Sequence, residues 1–206
     1  MQNSKSKNAH TAASHAGSAG STKKAGSTES TSQKAESLKH SRLMEFFVDQ
    51  LEDIYWAEKK LTKTLPKLAE AAHSDELRTA FNNHLTETKN HVTRLEKAFS
   101  LIDMEPKSTE CPAMKGIVEE GEEIVDETAE ATAQRDVGLI FAGQKAEHYE
   151  MATYGGLIQL ARVMEFDDVA KLLEDTLKEE KAADTKLTQI AAGGINEEAL
   201  HEIEAD

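Results

Sequence analysis

Four long stretches of the chain carry apolar residues at alternating spacings of three and four, the period of a helix that buries one face. The first stripe runs through Leu51, Ile54, Glu58, Leu61, Leu65, Leu68 and Ala72. It predicts a helix beginning after Ser41, whose hydroxyl suits an N-cap ahead of Leu43-Met44-Glu45-Phe46-Phe47. Pro66 falls inside this helix and is expected to kink it, because it removes one backbone hydrogen bond. His73-Ser74-Asp75 reads as a tight connection to a second helix reaching about Ile102, with Leu77, Phe81, Leu85, Val92, Leu95 and Phe99 inward. His84, Glu87 and His91 lie on or beside that stripe. So short a turn makes the two helices antiparallel neighbours.

Residues 103–135 form a long connection punctuated by Pro106, Pro112 and Gly116, in which Met114, Ile117, Val118 and Val125 predict one short amphipathic helix starting at Pro112. A third long helix covers Val137 to Met164, with Gly143, Ala146, Leu157, Leu160 and Met164 on its inner stripe. After Phe166-Asp167-Asp168 a fourth places Val169, Leu173, Leu177, Glu180, Asp184, Leu187 and Ala191 on one face and ends at Gly193-Gly194. The expected fold is all-α: a ferritin-like antiparallel four-helix bundle over residues 41–195, whose long helix 2 to helix 3 crossover carries the short extra helix. Residues 196–206 read as a frayed acidic C-terminal tail.

Acidic side chains interrupt these seams. Glu58 stands between Ile54 and Leu61, and Glu150, within Glu147-His148-Tyr149-Glu150, lies on the stripe of the third helix. A buried charge costs several kcal/mol unless it is protonated, paired or bound to a metal. The two hairpins also superpose with a constant shift of 92 residues, which lays Glu58 on Glu150, Leu65 on Leu157, Glu87 on Glu179 and Leu95 on Leu187. A pseudo-twofold relation of this kind would bring Glu58 and Glu150 face to face.

Composition narrows the setting. Acids outnumber Lys and Arg by 38 to 24, and the net charge of −14 argues against a nucleic-acid-binding body. Residues 1–40 differ: they are rich in Ser, Ala, Gly and Thr, and six lysines against Glu29 and Glu36 give +4, which leaves −18 for the rest. Without apolar residues this basic tail is expected to be disordered, and any nucleic-acid contact is confined to weak attraction through it. Cys111 is the single cysteine, so no internal disulfide can form. No apolar run approaches the roughly 18 residues of a membrane span, and no signal-peptide apolar region follows Met1. A cytoplasmic protein is expected.

Dinuclear iron or manganese sites in four-helix bundles use one Glu from each of two helices and a Glu-x-x-His pair from each of the other two. Hard carboxylate oxygens suit these metals, with imidazole acceptable beside them. The candidate metal ligands are Glu58 from the first helix, Glu87 and His91 from the second, Glu147 and Glu150 from the third, and Glu180 with Asp184 from the fourth, Glu179 being the alternative to Glu180. Glu58 and Glu150 are the expected bridging pair. The pattern departs from Glu-x-x-His, since His91 follows Glu87 by four residues and Asp184 follows Glu180 by four. His84 and His148 read as hydrogen-bonded polar groups outside the ligand set. Tyr149 and Tyr154 could hydrogen-bond a carboxylate.

Leu51-Glu52-Asp53-Ile54-Tyr55-Trp56-Ala57-Glu58-Lys59, His84-Leu85-Thr86-Glu87-Thr88, Met114-Lys115-Gly116, Glu147-His148-Tyr149-Glu150 and Glu179-Glu180-Lys181-Ala182-Ala183-Asp184 resemble the YciE/YciF family of ferritin-like, rubrerythrin-related bacterial stress proteins. The resemblance covers roughly Leu43 to Ala192 and leaves out the lysine-rich tail. It implies a ferritin-like bundle, a homodimer, and a di-iron site similar to those of rubrerythrins. Two function classes follow: a dimetal protein reacting with peroxide or dioxygen, and a stress-induced structural or interaction bundle without turnover.

Overall fold

The computed structural model describes residues 41–203. The predicted basic tail of residues 1–40 lies outside them. Every regular element among the described residues is helical: α1 (Arg42–Ala71), α2 (Asp75–Leu101), α3 (Pro112–Glu127), α4 (Ala133–Val163), α5 (Asp167–Ile190) and the short α6 (Asn196–His201).

Local chemistry sets the helix starts. Ser41 caps α1 by accepting from Met44 N at 3.1 Å, and Ser74 caps α2 by accepting from Glu76 and Leu77 N. Cys111 precedes α3, with Pro112 in its first turn where the missing N–H costs nothing. Although Pro66 lies inside α1, that helix is continuous from end to end.

Each of the four long helices packs against two others: α1 against α2 and α4, and α5 against α2 and α4. This closes a four-helix ring. The three-residue connection between α1 and α2 makes them antiparallel. Asp136, in the first turn of α4, accepts hydrogen bonds from the backbone N–H of His73 and Ser74 at the start of α2, each at 2.7 Å. The N-termini of α2 and α4 therefore share one end of the bundle, and these two helices run parallel, as the long crossover requires. Within the crossover, Lys107 and Thr109 donate to Glu52 of α1 and α3 packs on α4, so the connection is pinned at both of its parts.

The core follows the first stripe closely: Leu51, Ile54, Glu58, Leu61, Leu65, Leu68 and Ala72 are all buried. Full burial of a Leu or Ile contributes about 1.5–3 kcal/mol. In α2 the phase differs from expectation. Leu85 and Val92 are only half-buried, while Leu77, Phe81, His84, Thr88, His91 and Leu95 form the buried seam. Polar side chains occupy the middle of that seam, so tracking aliphatic residues selects the neighbouring face. Gly143 lets α4 approach α5 and α2, because a Cβ there would stand 2.9 Å from Leu187 Cδ1 and 3.4 Å from Phe81 Cε1.

The predicted tail from residue 196 also differs. A π-turn over Ala191–Ile195, with Gly194 at φ +132°, changes the chain's direction into α6. Glu202 then accepts from the N–H of Ala133 and Gln134, at 2.6 and 2.9 Å. The free N–H groups at the start of α4 offer an acidic residue a partner that sequence pattern does not reveal. No helix among the described residues is long and apolar enough to cross a membrane.

Candidate metal centre

Midway along the bundle, all four long helices send polar side chains into the core. These are Glu58 from α1, His84 and His91 from α2, Glu147 and Glu150 from α4, and Glu180 from α5, all buried. Their donor atoms form two overlapping groups. His84, Glu147, Glu150 and Glu180 bring ligand atoms within 4.8 Å of one another, and so do Glu58, His91 and Glu180. Glu180 is common to both.

Spacing along each helix produces this convergence. His84 and His91 are two turns apart on α2, so both face inward, and Glu147 and Glu150 are neighbours at i and i+3 on α4. On α5, Glu180 is fully buried while the adjacent Glu179 points to the helix edge, with a third of its side chain exposed. This separates the two alternatives for the fourth helix.

His91 is held from its outer side. Its Nε2 lies 2.8 Å from Glu179 Oε2, and Glu179 in turn accepts from both terminal nitrogens of Arg94. Arg94, with smaller help from His91, holds the Glu179 carboxyl below its ordinary range against the effect of burial. An ionised carboxylate can only accept, so Nε2 carries the proton and donates it. In the neutral imidazole, Nδ1 is then a lone pair facing inward, 2.9 Å from Glu180 Oε1 and 3.4 Å from Glu58 Oε1. A histidine fixed through its far nitrogen by a carboxylate is how bundle proteins present a ligand of set tautomer and orientation. Glu58 is positioned similarly, by a hydrogen bond donated from the buried Tyr154 hydroxyl.

The cluster is electrostatically costly as an all-protein arrangement. Burial, and then the negative charge of Glu180, push the Glu147 and Glu150 carboxyls well above their ordinary range. Burial also raises Glu58, against the lowering effect of His91. Burial disfavours the charged form of His91, yet Glu180 and Glu58 together outweigh it and bring that imidazole up to about 11. Glu180 is held below its ordinary range because His91 overcomes its burial.

Eight buried side-chain atoms in the described residues have no hydrogen-bond partner: Glu58 Oε2, His84 Nδ1, His91 Nδ1, Glu147 Oε2, both oxygens of Glu150 and both of Glu180. All belong to this cluster. Several stand close to each other, as His91 Nδ1 does to Glu180, but without hydrogen-bonding alignment. Buried polar atoms are ordinarily satisfied, at a cost of about 1–3 kcal/mol for each that is not. Oxygen and imidazole nitrogen atoms gathered in this way could hold a metal ion.

Of the sequence-predicted ligands, Glu58, His91, Glu147, Glu150 and Glu180 come together here. Glu87 and Asp184 do not. The Glu87 side chain is 44% exposed on the outer side of His84, and Asp184 accepts from Gln144 and faces His148 at the α4–α5 edge. Glu87 falls one face away from the α2 seam, whereas Asp184 shares the stripe of Glu180 and Leu187 and sits partly buried at its edge. His84, read from sequence as lying outside the ligand set, faces Glu147 Oε1 at 3.2 Å. Its signal was available in the 4,3,4,3,4 spacing of Leu77, Phe81, His84, Thr88, His91 and Leu95. Glu58 and Glu150 belong to different groups, so Glu180 is the shared residue instead of that pair. Tyr149 lies beside Cys111, with 3.0 Å between hydroxyl and Sγ.

A family model described as "Domain of unknown function (DUF892)" matches residues 42–200. Over 154 residues the chain is 44% identical to Protein YciF of Escherichia coli K12, a match spanning 74% of this chain and 92% of YciF. The crystal structure of the E. coli stress protein YciF aligns with a TM-score of 0.72 at 41% identity, over 76% of this chain and 98% of that one. YcfI of Rhodopseudomonas palustris, for which a structural role has been suggested, aligns with a TM-score of 0.69 at 36% identity, over 72% of this chain and 94% of that one. With its bundle matched almost from end to end, the chain belongs to the DUF892 family, that of the E. coli stress protein YciF.

Proposed function

We propose that the buried cluster binds a dinuclear iron or manganese centre and that the protein reacts with peroxide or dioxygen in the stress response its family relationship suggests. The observation that carries this reading is the set of unpartnered buried atoms in one cluster: beside the outward-facing His84 Nδ1, seven of them lie on Glu58, His91, Glu147, Glu150 and Glu180. Four carboxyl groups and two imidazoles supply enough donors for two ions, with Glu180 placed to serve both. Glu58 and His91 Nδ1 would complete one position, and His84 Nε2, Glu147 and Glu150 the other. Bound there, two redox-active ions would supply electrons to peroxide or dioxygen. The protein's own part is orientation and exclusion of water: Glu179 and Arg94 fix His91, Tyr154 fixes Glu58, and the surrounding Leu, Ile and Phe side chains keep the cluster dry.

A second reading is a non-catalytic structural or interaction bundle, favoured by the structural role suggested for YcfI. Anaerobic reconstitution with Fe(II), followed by elemental mass spectrometry and a peroxide-consumption assay, separates the two. The proposal expects about two ions per chain and peroxide-dependent oxidation. Stoichiometry below a few tenths would refute the centre, and full occupancy without reaction would leave the structural reading.

A further inference from the structure

A cavity of about 650 Å3 opens between α2 and α5 and reaches inward as far as His84 and Glu147. Asp75, Glu76 and Glu87 stand on its walls; Asp75 is paired with Arg78 at 2.5 Å and Glu76 with Lys186 at 2.6 Å, which leaves Glu87 as the acid there without a lysine or arginine partner among the described residues. Ala183 lines the opposite wall with too little side chain to close it.

At the floor, His84 and Glu147 are where the cavity meets the cluster. Its Nε2 faces inward, 3.2 Å from Glu147 Oε1 and 3.7 Å from Glu180 Oε2. Its Nδ1 faces outward, buried and without a hydrogen-bond partner, 3.5 Å from Glu87 Oε2. The contrast with His91 is informative. There the outer nitrogen is locked by a carboxylate that an arginine holds with two hydrogen bonds, whereas Glu87 makes no such anchoring pair and is 44% exposed at the cavity wall. A carboxylate free to turn, next to an unpartnered imidazole nitrogen, is a donor pair suited to a first-row divalent cation. A carboxylate without a basic partner at the wall of a concave surface attracts cations to it.

We propose that this cavity is the route by which divalent metal reaches the buried cluster, with Glu87 and the Nδ1 of His84 forming a relay site occupied on the way in. The proposal rests on the dinuclear reading above. Glu87 is then neither a ligand of the final centre nor a group that merely orients His84: it sets the rate of loading and not the final occupancy.

The test is anaerobic stopped-flow uptake of Co2+ by the chelator-treated full chain, read by the ligand-field absorption of the bound ion, with final stoichiometry and affinity measured separately. Glu87→Gln is expected to slow uptake by about tenfold while stoichiometry and affinity stay at the wild-type level. Ala183→Phe, which narrows the cavity without replacing a candidate ligand, is expected to slow it as well. Glu119→Gln, an exposed acid on α3 outside the cavity, should leave the rate unchanged. Wild-type uptake rates in Glu87→Gln would overturn the relay, and that variant decides the matter alone if Ala183→Phe does not fold. Weakened affinity with an unchanged uptake rate in Glu87→Gln would overturn it too, by making Glu87 an orienting group. Either result leaves a wild-type stoichiometry of two standing. A wild-type chain that takes up no metal refutes the dinuclear centre itself and the route with it.

Discussion

Glu150→Gln tests the electrostatic account of the metal-free cluster most directly. Both Glu150 oxygens are buried and unpartnered, and burial with the charges of Glu180, Glu58 and Glu147 raises its carboxyl well above the ordinary value of 4.5. The folded state therefore holds a proton that the unfolded chain releases once pH exceeds that ordinary value. Stability is fully present below it and is lost as pH rises towards the folded value. The slope is about 1.4 kcal/mol per pH unit for each proton so held. Glutamine has nearly the same shape and cannot ionise in either state, so the variant lacks this slope. Above the ordinary carboxyl value the difference grows in favour of the variant for as long as the folded carboxyl keeps its proton, and neighbouring carboxyls that share the same field reduce it. Chemical denaturation of chelator-treated protein at a series of pH values from 5 to 7 measures it. Glu147 keeps its own slope of the same sign, and so does His91, whose raised value makes its contribution fade above the ordinary histidine range. The expected result is a shallower pH dependence in Glu150→Gln and higher stability at neutrality. Identical slopes in variant and wild type would refute the claim that this carboxyl is held protonated in the core. Metal should reverse the trend in wild type, since it binds the deprotonated ligands.

Two further outcomes bear on the centre. Arg94→Leu removes the clamp on Glu179 and so loosens His91; metal affinity by competitive titration should fall by about 10–100-fold, and an unchanged affinity would mean that the outer pair does not position the ligand. Asp184→Asn should leave metal stoichiometry at the wild-type level, since Asp184 faces Gln144 and His148, and loss of an ion would return it to the ligand set.

The long helices were legible because each seam is long enough for the 3.6-residue period to stand out, and α1 shows this best, with Glu58 predicted and found on its buried face. The same method failed in α2 for a physical reason. Apolar residues mark a core, but where a core holds ligands the inward positions are polar, and Leu85 and Val92 pulled the inferred face sideways. That bias put Glu87 on the inferred seam and left His84 beside it, whereas Asp184 of α5 shares the stripe of Glu180 and Leu187 and lies at its edge, against Gln144 and His148. For positions 179 and 180 the apolar stripe and the 92-residue repeat point to different residues; the fold buries Glu180 and turns Glu179 to Arg94 of α2, a contact between helices that neither pattern contains. The helical end of the chain was also illegible, since it depends on Glu202 reaching the start of α4, a contact distant in sequence.

Asp136 has a consequence for how the fold is encoded. Its carboxyl group grips the turn of the first hairpin from the first helix of the second, so the relative register of the two halves is stated in space and not only along the backbone. The covalent crossover between residues 103 and 111 then carries little of the positional information on which the cluster depends. Such a protein is modular in the evolutionary sense. Outside Lys107 and Thr109, which hold Glu52, and the Cys111 cap, its connecting loop can vary while the two hairpins, each contributing roughly half of the inward side chains, continue to find each other in the alignment that brings all six together.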